Sequence, residues 1–148
     1  MTKTILVATD GSDHAERAVE VAAAIVDVYD AKLVLVHVLP DVVNEHLPEH
    51  LEKVVELERL DVGEALNAIG ESIIHQAQQK ARKEGVKDIE IVLTTGSPAK
   101  EILEIAGRLN VDFIVMGSRG RGDLEGLLMG SVSHKVSHLA KQTCITVK

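Results

Sequence analysis

The residues best suited to chemistry lie in one stretch, Gly117 to Ser133. It opens Gly117-Ser118-Arg119-Gly120, runs for nine residues from Arg121 to Met129, and closes Gly130-Ser131-Val132-Ser133. Glycines let backbone N–H groups approach an anion closely and adopt positive φ. Gly130 and Ser131 stand where a helix should begin, and the orphan N–H groups of a helix N-terminus favour negative charge. The hydroxyls of Ser131 and Ser133 can donate hydrogen bonds, and Arg119 and Arg121 bring positive charge to a chain of net charge −7. These types at these spacings suit phosphate. The Gly-Lys-Ser/Thr end of a Walker A loop is missing, and no Gly-x-Gly-x-x-Gly follows the first apolar run, so neither of those phosphate cradles is written here.

The elements that must position this stretch alternate regularly. Thr4–Thr9 (TILVAT) is a continuous apolar run and reads as a buried strand. Asp10-Gly11-Ser12 is a turn, with Ser12 as N-cap of a helix to about Tyr29 whose inner face carries Ala15, Ala18, Val19, Ala22, Ala23 and Val26. Lys32–Val38 (KLVLVHV) is a second buried strand, stopped by Pro40. Residues 41–60 are the least readable part. A long helix follows, opened by Asp61 with Glu64 as a capping pair and stopped at Gly85, with Val62, Leu66, Ile69, Ile73, Ala77 and Ala81 as its core face. Asp88–Thr95 alternates like a half-exposed edge strand, with Ile89, Ile91 and Leu93 on one face. Ser97-Pro98 starts a helix to about Leu109. Asp112–Met116 (DFIVM) is a further apolar strand; a helix from about Ser131 to Lys141 and a last strand, Cys144–Lys148, complete the chain.

A β-α-β-α-β-α-β-α-β order implies right-handed crossovers and a parallel sheet. Strands one, two and four read as buried and three and five as edges, which the order 3-2-1-4-5 satisfies. The fold class expected is therefore α/β: an open five-stranded parallel sheet with helices on both faces, Rossmann-like. Ligands in such sheets bind where the strand order reverses, beyond the carboxyl ends of the strands. Here that point lies between Asp10-Gly11-Ser12 and the stretch beginning at Gly117. The thirteen residues from Gly117 to Met129 exceed the usual two to six of such connections, which argues for a working loop.

Composition sets the outer bounds. The 148 residues suit one domain with its own core, and 45% hydrophobic and 26% charged residues are ordinary for a globular chain. One Tyr, one Phe and no Trp make the core aliphatic and leave no stacking platform for single-stranded nucleic acid. A net charge of −7 with no basic stripe argues against duplex binding. The N-terminal apolar run is too short for a signal sequence, no stretch approaches a membrane span, and the single cysteine, Cys144, forms no internal disulfide; a cytoplasmic location is expected, without membrane insertion.

Gly-x2-Gly-x9-Gly-Ser, realised as Gly117, Gly120, Gly130 and Ser131, resembles the ATP-binding signature of the universal stress protein family. The surroundings agree: ILVATDGS at 5–12, VLVHV at 34–38, VDFIVMGSRGRG at 111–122 and GLLMGSVSHKV at 126–136 resemble that family's first, second and fourth strands and last helix. The match spans nearly the whole chain and is weakest over residues 41–60. The resemblance implies an adenine nucleotide alpha hydrolase-like fold and an ATP site, in which Asp10, beside Ala8 and Thr9, contacts the nucleoside end. It implies that the backbone of Val38 holds adenine. Met116, Gly117, Ser118, Arg119 and Gly120 would line ribose and phosphates, and Gly130, Ser131, Val132 and Ser133 would hold the phosphates. A magnesium ion would bridge phosphate oxygens, with Asp10 as its nearest acid. Asp10 also suits an Asx-turn, and the two roles are compatible. In this family the last strand, which often begins Cys-Pro-Val, pairs with its copy across a dimer axis. Here Gln142-Thr143-Cys144 lacks the proline; a homodimer is still expected, since an edge strand with free backbone groups invites pairing.

Other candidates carry less. His46 with His50 and His134 with His138 are each spaced i, i+4, but a zinc site needs three or four ligands and nothing completes either pair, so solvated faces are expected. The same holds for the acidic face of Asp41, Glu45, Glu49 and Glu52. His14 reads as a surface helix residue near the site, His37 as a hydrogen-bonded core residue, and Cys144 as buried packing. No Ser–His–Asp or Cys–His arrangement is arguable from spacing. The function expected is a nucleotide-dependent regulatory protein with an unidentified protein partner. The alternative is a slow ATPase or nucleotidyl-transfer enzyme, which lacks a His-x-Gly-His stretch or a pyrophosphatase-type loop here. A receiver-type signalling domain would need an acid at the end of strand three, where Thr94-Thr95-Gly96 stands.

Overall fold

A computed structural model describes residues 2–41, 62–120 and 129–148. Its elements, in chain order, are β1 (Thr4–Ala8), α1 (Asp13–Tyr29), β2 (Lys32–Leu39), α2 (Val62–Lys83), β3 (Ile89–Thr95), α3 (Pro98–Arg108), β4 (Phe113–Gly117), α4 (Ser131–Leu139) and β5 (Thr143–Val147). All strand pairs are parallel and the order is β3-β2-β1-β4-β5, as expected from the burial pattern of the runs.

Alternation along the central strands splits the core into two layers. Ile5, Val7, Leu33, Leu35 and Val115 face α1 and α2; Leu6, Val34, Val36, Ile114 and Met116 face α3 and α4. The strands read as continuous apolar runs because both faces are covered. Each of these side chains is almost wholly buried, which stabilises by about 1.5–3 kcal/mol apiece for a Val, Leu, Ile or Met. Small residues on α1 let it lie close to the sheet, and all six predicted positions, Ala15 to Val26, are buried.

Three helices end alike. Asp30, Gly85 and Asn110 take positive φ, and the next N–H reaches back five residues: Ala31 to Val26, Val86 to Ala81, Val111 to Ala106, at 3.0–3.1 Å. These are Schellman-type stops, and the residue after each is buried, fastening the helix end to the core and aiming the chain into the next strand.

The core face of α2 differs from expectation. Ala65, Leu66, Gly70, Ile74, Ala77 and Ala81 are buried, while Val62, Ile69 and Ile73 lie at the margin. Gly70 sets the rotation: a Cβ there would come within 2.6 Å of Leu39 and 3.2 Å of Leu93, so the helix backbone itself touches the sheet. Hydrophobic periodicity favours the larger residues one position away, and the absence of a side chain at Gly70 outweighs it. α4 ends at Leu139, short of Lys141, where Ala140 turns extended (ψ 142°) and leads into β5. β5 spans Thr143–Val147, one residue earlier than its apolar run suggested. On β3, Ile91 is 39% exposed, because this edge has neighbours on one side only. The proposed capping acid Asp61 lies outside the described residues.

Candidate functional site

β1 and β4 are neighbours, and the chain leaves their carboxyl ends toward opposite faces of the sheet. The segments that follow them, with the end of β2, enclose a cavity of about 240 Å³. One part of its wall is apolar: Val36, Val38, Pro98, Ile102 and Met116. The other part is polar: Thr9, Asp10, Arg119, Gly120 and Ser131, the first residue of α4. Ala8, Gly117, Val132 and Ser133 complete the predicted set that the fold brings here; Ala15 and His37 also reach it. Pro98 and Ile102 were missed because they belong to α3, across a crossover from the glycine stretch. The Ser97-Pro98 helix start beyond the carboxyl end of β3 was the available signal.

Two predicted residues lie behind the wall. Ser118 is 3% exposed and ties together separate segments. Its N–H donates to the Val147 carbonyl at 2.7 Å and its carbonyl accepts from Gly130 N–H and from the Ser133 hydroxyl, the latter at 2.8 Å. Its own hydroxyl meets His14 Nδ1 at 3.0 Å. Gly130 is the N-cap of α4 and is held by that Ser118 contact. The Ser133 hydroxyl has one hydrogen, directed at the carbonyls of Ser118 and Gly130, so in this structure it closes the loop onto α4. His14 is therefore more than a surface residue. It packs on the end of β4 so closely that a Cβ at Gly117 would stand 2.7 Å from its Cβ.

Asp10 makes the expected Asx-turn: its Oδ1 accepts Ser12 N–H at 2.9 Å, and Ser12 in turn caps α1 by accepting Ala15 N–H at 3.2 Å. This turn brings the Asp10 carboxylate to the cavity. His37, buried as expected, has its Nδ1 2.7 Å from the Thr9 carbonyl. A carbonyl can only accept, so Nδ1 carries the hydrogen.

The hydrogen-bond ladder shows how Val38 is presented. Along β2, even residues bond toward β1 (Lys32 N–H to Lys3, Thr9 N–H to Val36) and odd residues toward β3 (Leu33 N–H to Asp88, Gly96 N–H to Leu39). Val38 is even, so its N–H and carbonyl face the side of β1. The strand pairing on that side ends at Ala8–Val36. The next rung, Val38 N–H to the Thr9 carbonyl, is absent among the described residues. A donor and an acceptor on one residue thus face the cavity.

Among the described residues no cluster of three or more His, Cys, Asp or Glu could hold a metal ion. His134 and His138 are exposed, their rings stacked 6.4 Å apart; His46 and His50, the acids at 45, 49 and 52, and Arg121 lie outside the described residues. Cys144 is half-buried, not fully buried, because β5 is an edge; desolvation pushes its thiol pKa up. No helix among the described residues is long and apolar enough to cross a membrane.

The profile of the "Universal stress protein family" matches residues 1–148. The universal stress protein YxiE of Bacillus subtilis is 36% identical, over 97% of this chain and 96% of its own length. A universal stress protein of Thermus aquaticus is 38% identical, over 92% of this chain and 91% of its own. Among solved structures, a universal stress protein in complex with cAMP superposes with a TM-score of 0.68 at 27% identity, covering 99% of this chain and 96% of that one. Strand order, switch-point loops and sequence agree, and this chain belongs to the universal stress protein family.

Proposed function

We propose that the cavity binds ATP with a magnesium ion, and that the protein acts in the cytoplasm as a nucleotide-dependent regulatory dimer in a stress response, working on a protein partner. The observation that carries this reading is the junction of an apolar slot, edged by the Val38 backbone, with a polar end at the start of α4. A purine fits the first by apolar contact and by one donor–acceptor pair; phosphates fit the second through Arg119, Gly120 and the N-terminal N–H groups of α4. The cAMP complex of a relative supports an adenine nucleotide as the ligand. The donor set suits magnesium held mainly by phosphate oxygens, since Asp10 is the one carboxylate among the described residues lining the cavity. Bound magnesium would neutralise phosphate charge; Asp10 would orient it or its waters.

Titration calorimetry with ATP and magnesium tests this. Saturable binding that Gly130→Val weakens supports the reading, because a side chain at the α4 cap would displace either the Ser118 contact or the phosphates. A folded protein that binds no adenine nucleotide overturns it. Recovery of intact ATP after incubation supports a binding role, and recovery of ADP supports the slow ATPase.

A further inference from the structure

His37 sits in the middle of an apolar strand, and a histidine there needs a reason. It is 8% exposed, and it borders the cavity. Its backbone belongs to the β3 side of the ladder, as its odd position requires. Its side chain turns the other way along the chain and caps the Thr9 carbonyl at 2.7 Å. That carbonyl is the acceptor that Val38 N–H would take if the β1–β2 ladder ran one rung further. Instead the ladder stops at the Thr9 N–H to Val36 carbonyl bond, 2.9 Å. The ring has room for this because α2 presents Gly70 above it: a Cβ at Gly70 would stand 3.3 Å from His37 Cδ2.

We infer that His37 is a positioning and specificity-determining residue for the base. By holding the Thr9 carbonyl, it ends the β1–β2 ladder one rung early and keeps the Val38 N–H and carbonyl open to the ligand. Two consequences follow from the chemistry. The open pair is one donor beside one acceptor. Adenine offers an amino donor beside ring-nitrogen acceptors and matches it; guanine has a carbonyl oxygen where adenine has the amino group, and clashes acceptor against acceptor. The same hydrogen bond fixes the path of the chain immediately before Asp10, so it also sets where that carboxylate meets the ligand. His37 does this through the Thr9 carbonyl, which its Nδ1 already holds, and not by a hydrogen bond from Nδ1 to the base. The inference rests on the nucleotide reading above, but the state of the ladder can be measured without any ligand.

Three forms of the full chain decide it: wild type, His37→Leu and His37→Asn. Asparagine places an N–H near the position of Nδ1 and should restore the cap. Hydrogen exchange of the Val38 amide is read first, in protein free of nucleotide. Fast exchange in wild type and in His37→Asn, with slower exchange in His37→Leu as the extra rung closes, is expected. Calorimetry with ATP and GTP is read next. His37→Leu should bind ATP about tenfold more weakly, the size of one lost hydrogen bond. It should also lose preference for ATP over GTP, while His37→Asn stays within about threefold of wild type. Should His37→Leu fail to fold, His37→Val, which likewise offers the Thr9 carbonyl no N–H, is expected to give the same loss of discrimination. A Val38 amide already protected in ligand-free wild type overturns the inference, as does unchanged ATP/GTP discrimination in folded His37→Leu or His37→Val. A wild type that binds neither nucleotide overturns the proposed function, and the exchange result still decides what His37 does to the ladder.

Discussion

Asp10 shows how one side chain carries two roles that can be separated. Its Oδ1 accepts Ser12 N–H at 2.9 Å, which a neutral amide oxygen can also do. Its negative charge is what a bound magnesium ion would use. Asp10→Asn keeps that hydrogen bond and should shift the melting temperature by no more than about two degrees. Affinity for magnesium-ATP should fall about tenfold, with affinity for metal-free ATP little changed. Equal loss of both would assign Asp10 to the nucleoside alone. Cys144 gives a second residue-scale expectation. Burial raises its thiol pKa, and the thiolate is the reactive form. At pH 8 it should be alkylated more slowly than a free cysteine, and its rate-against-pH curve should be displaced to higher pH. A curve displaced to lower pH would contradict the burial seen here.

At the scale of elements, helix starts differ in how they are held. Ser12 caps α1 through its hydroxyl, whereas Ser97 begins α3 with no side-chain cap bond and relies on Pro98. Ser12→Ala should cost about 1 kcal/mol in urea unfolding. Ser97→Ala should cost less than about 0.5 kcal/mol. Comparable losses would mean that Ser97 forms a cap in solution. The three central strands were legible in sequence because they are apolar on both faces, and α1 because alanine and valine recur along one side. The rotation of α2 was not legible. Its contact with the sheet is made by a residue without a side chain, and periodicity counts side chains. The role of Ser118 was hidden likewise: three of its four hydrogen bonds use its backbone atoms, and all four reach residues far along the chain.

At the scale of the molecule, β5 is a sheet edge with Thr143 and Thr146 exposed and Cys144, Ile145 and Val147 only half-covered. An edge strand of this composition presents unpaired backbone groups and apolar surface to a second copy. Light scattering after gel filtration should give twice the chain mass, falling toward the monomer on dilution. A monomer at every concentration would remove the dimer from the proposed function. The edge also connects inward, since the Val147 carbonyl is bonded to Ser118 at the mouth of the glycine stretch.

The chain order of strands and helices, their parallel pairing and the place where the sheet reverses are properties of hydrophobic pattern and turn residues. These are local, so sequence alone determined them. The same holds for the glycine and serine spacing that marks an anion site. Which residues meet across the crossovers was decided only by tertiary structure, because the cavity wall is drawn from β1, α1, β2, α3, β4 and α4 at once. Only there does Ser118 become a tie behind the wall, and only there does the His37 ring stand over the Thr9 carbonyl. Hydrogen bonds between residues 28 apart, as in that pair, leave no trace in a period of two or of 3.6.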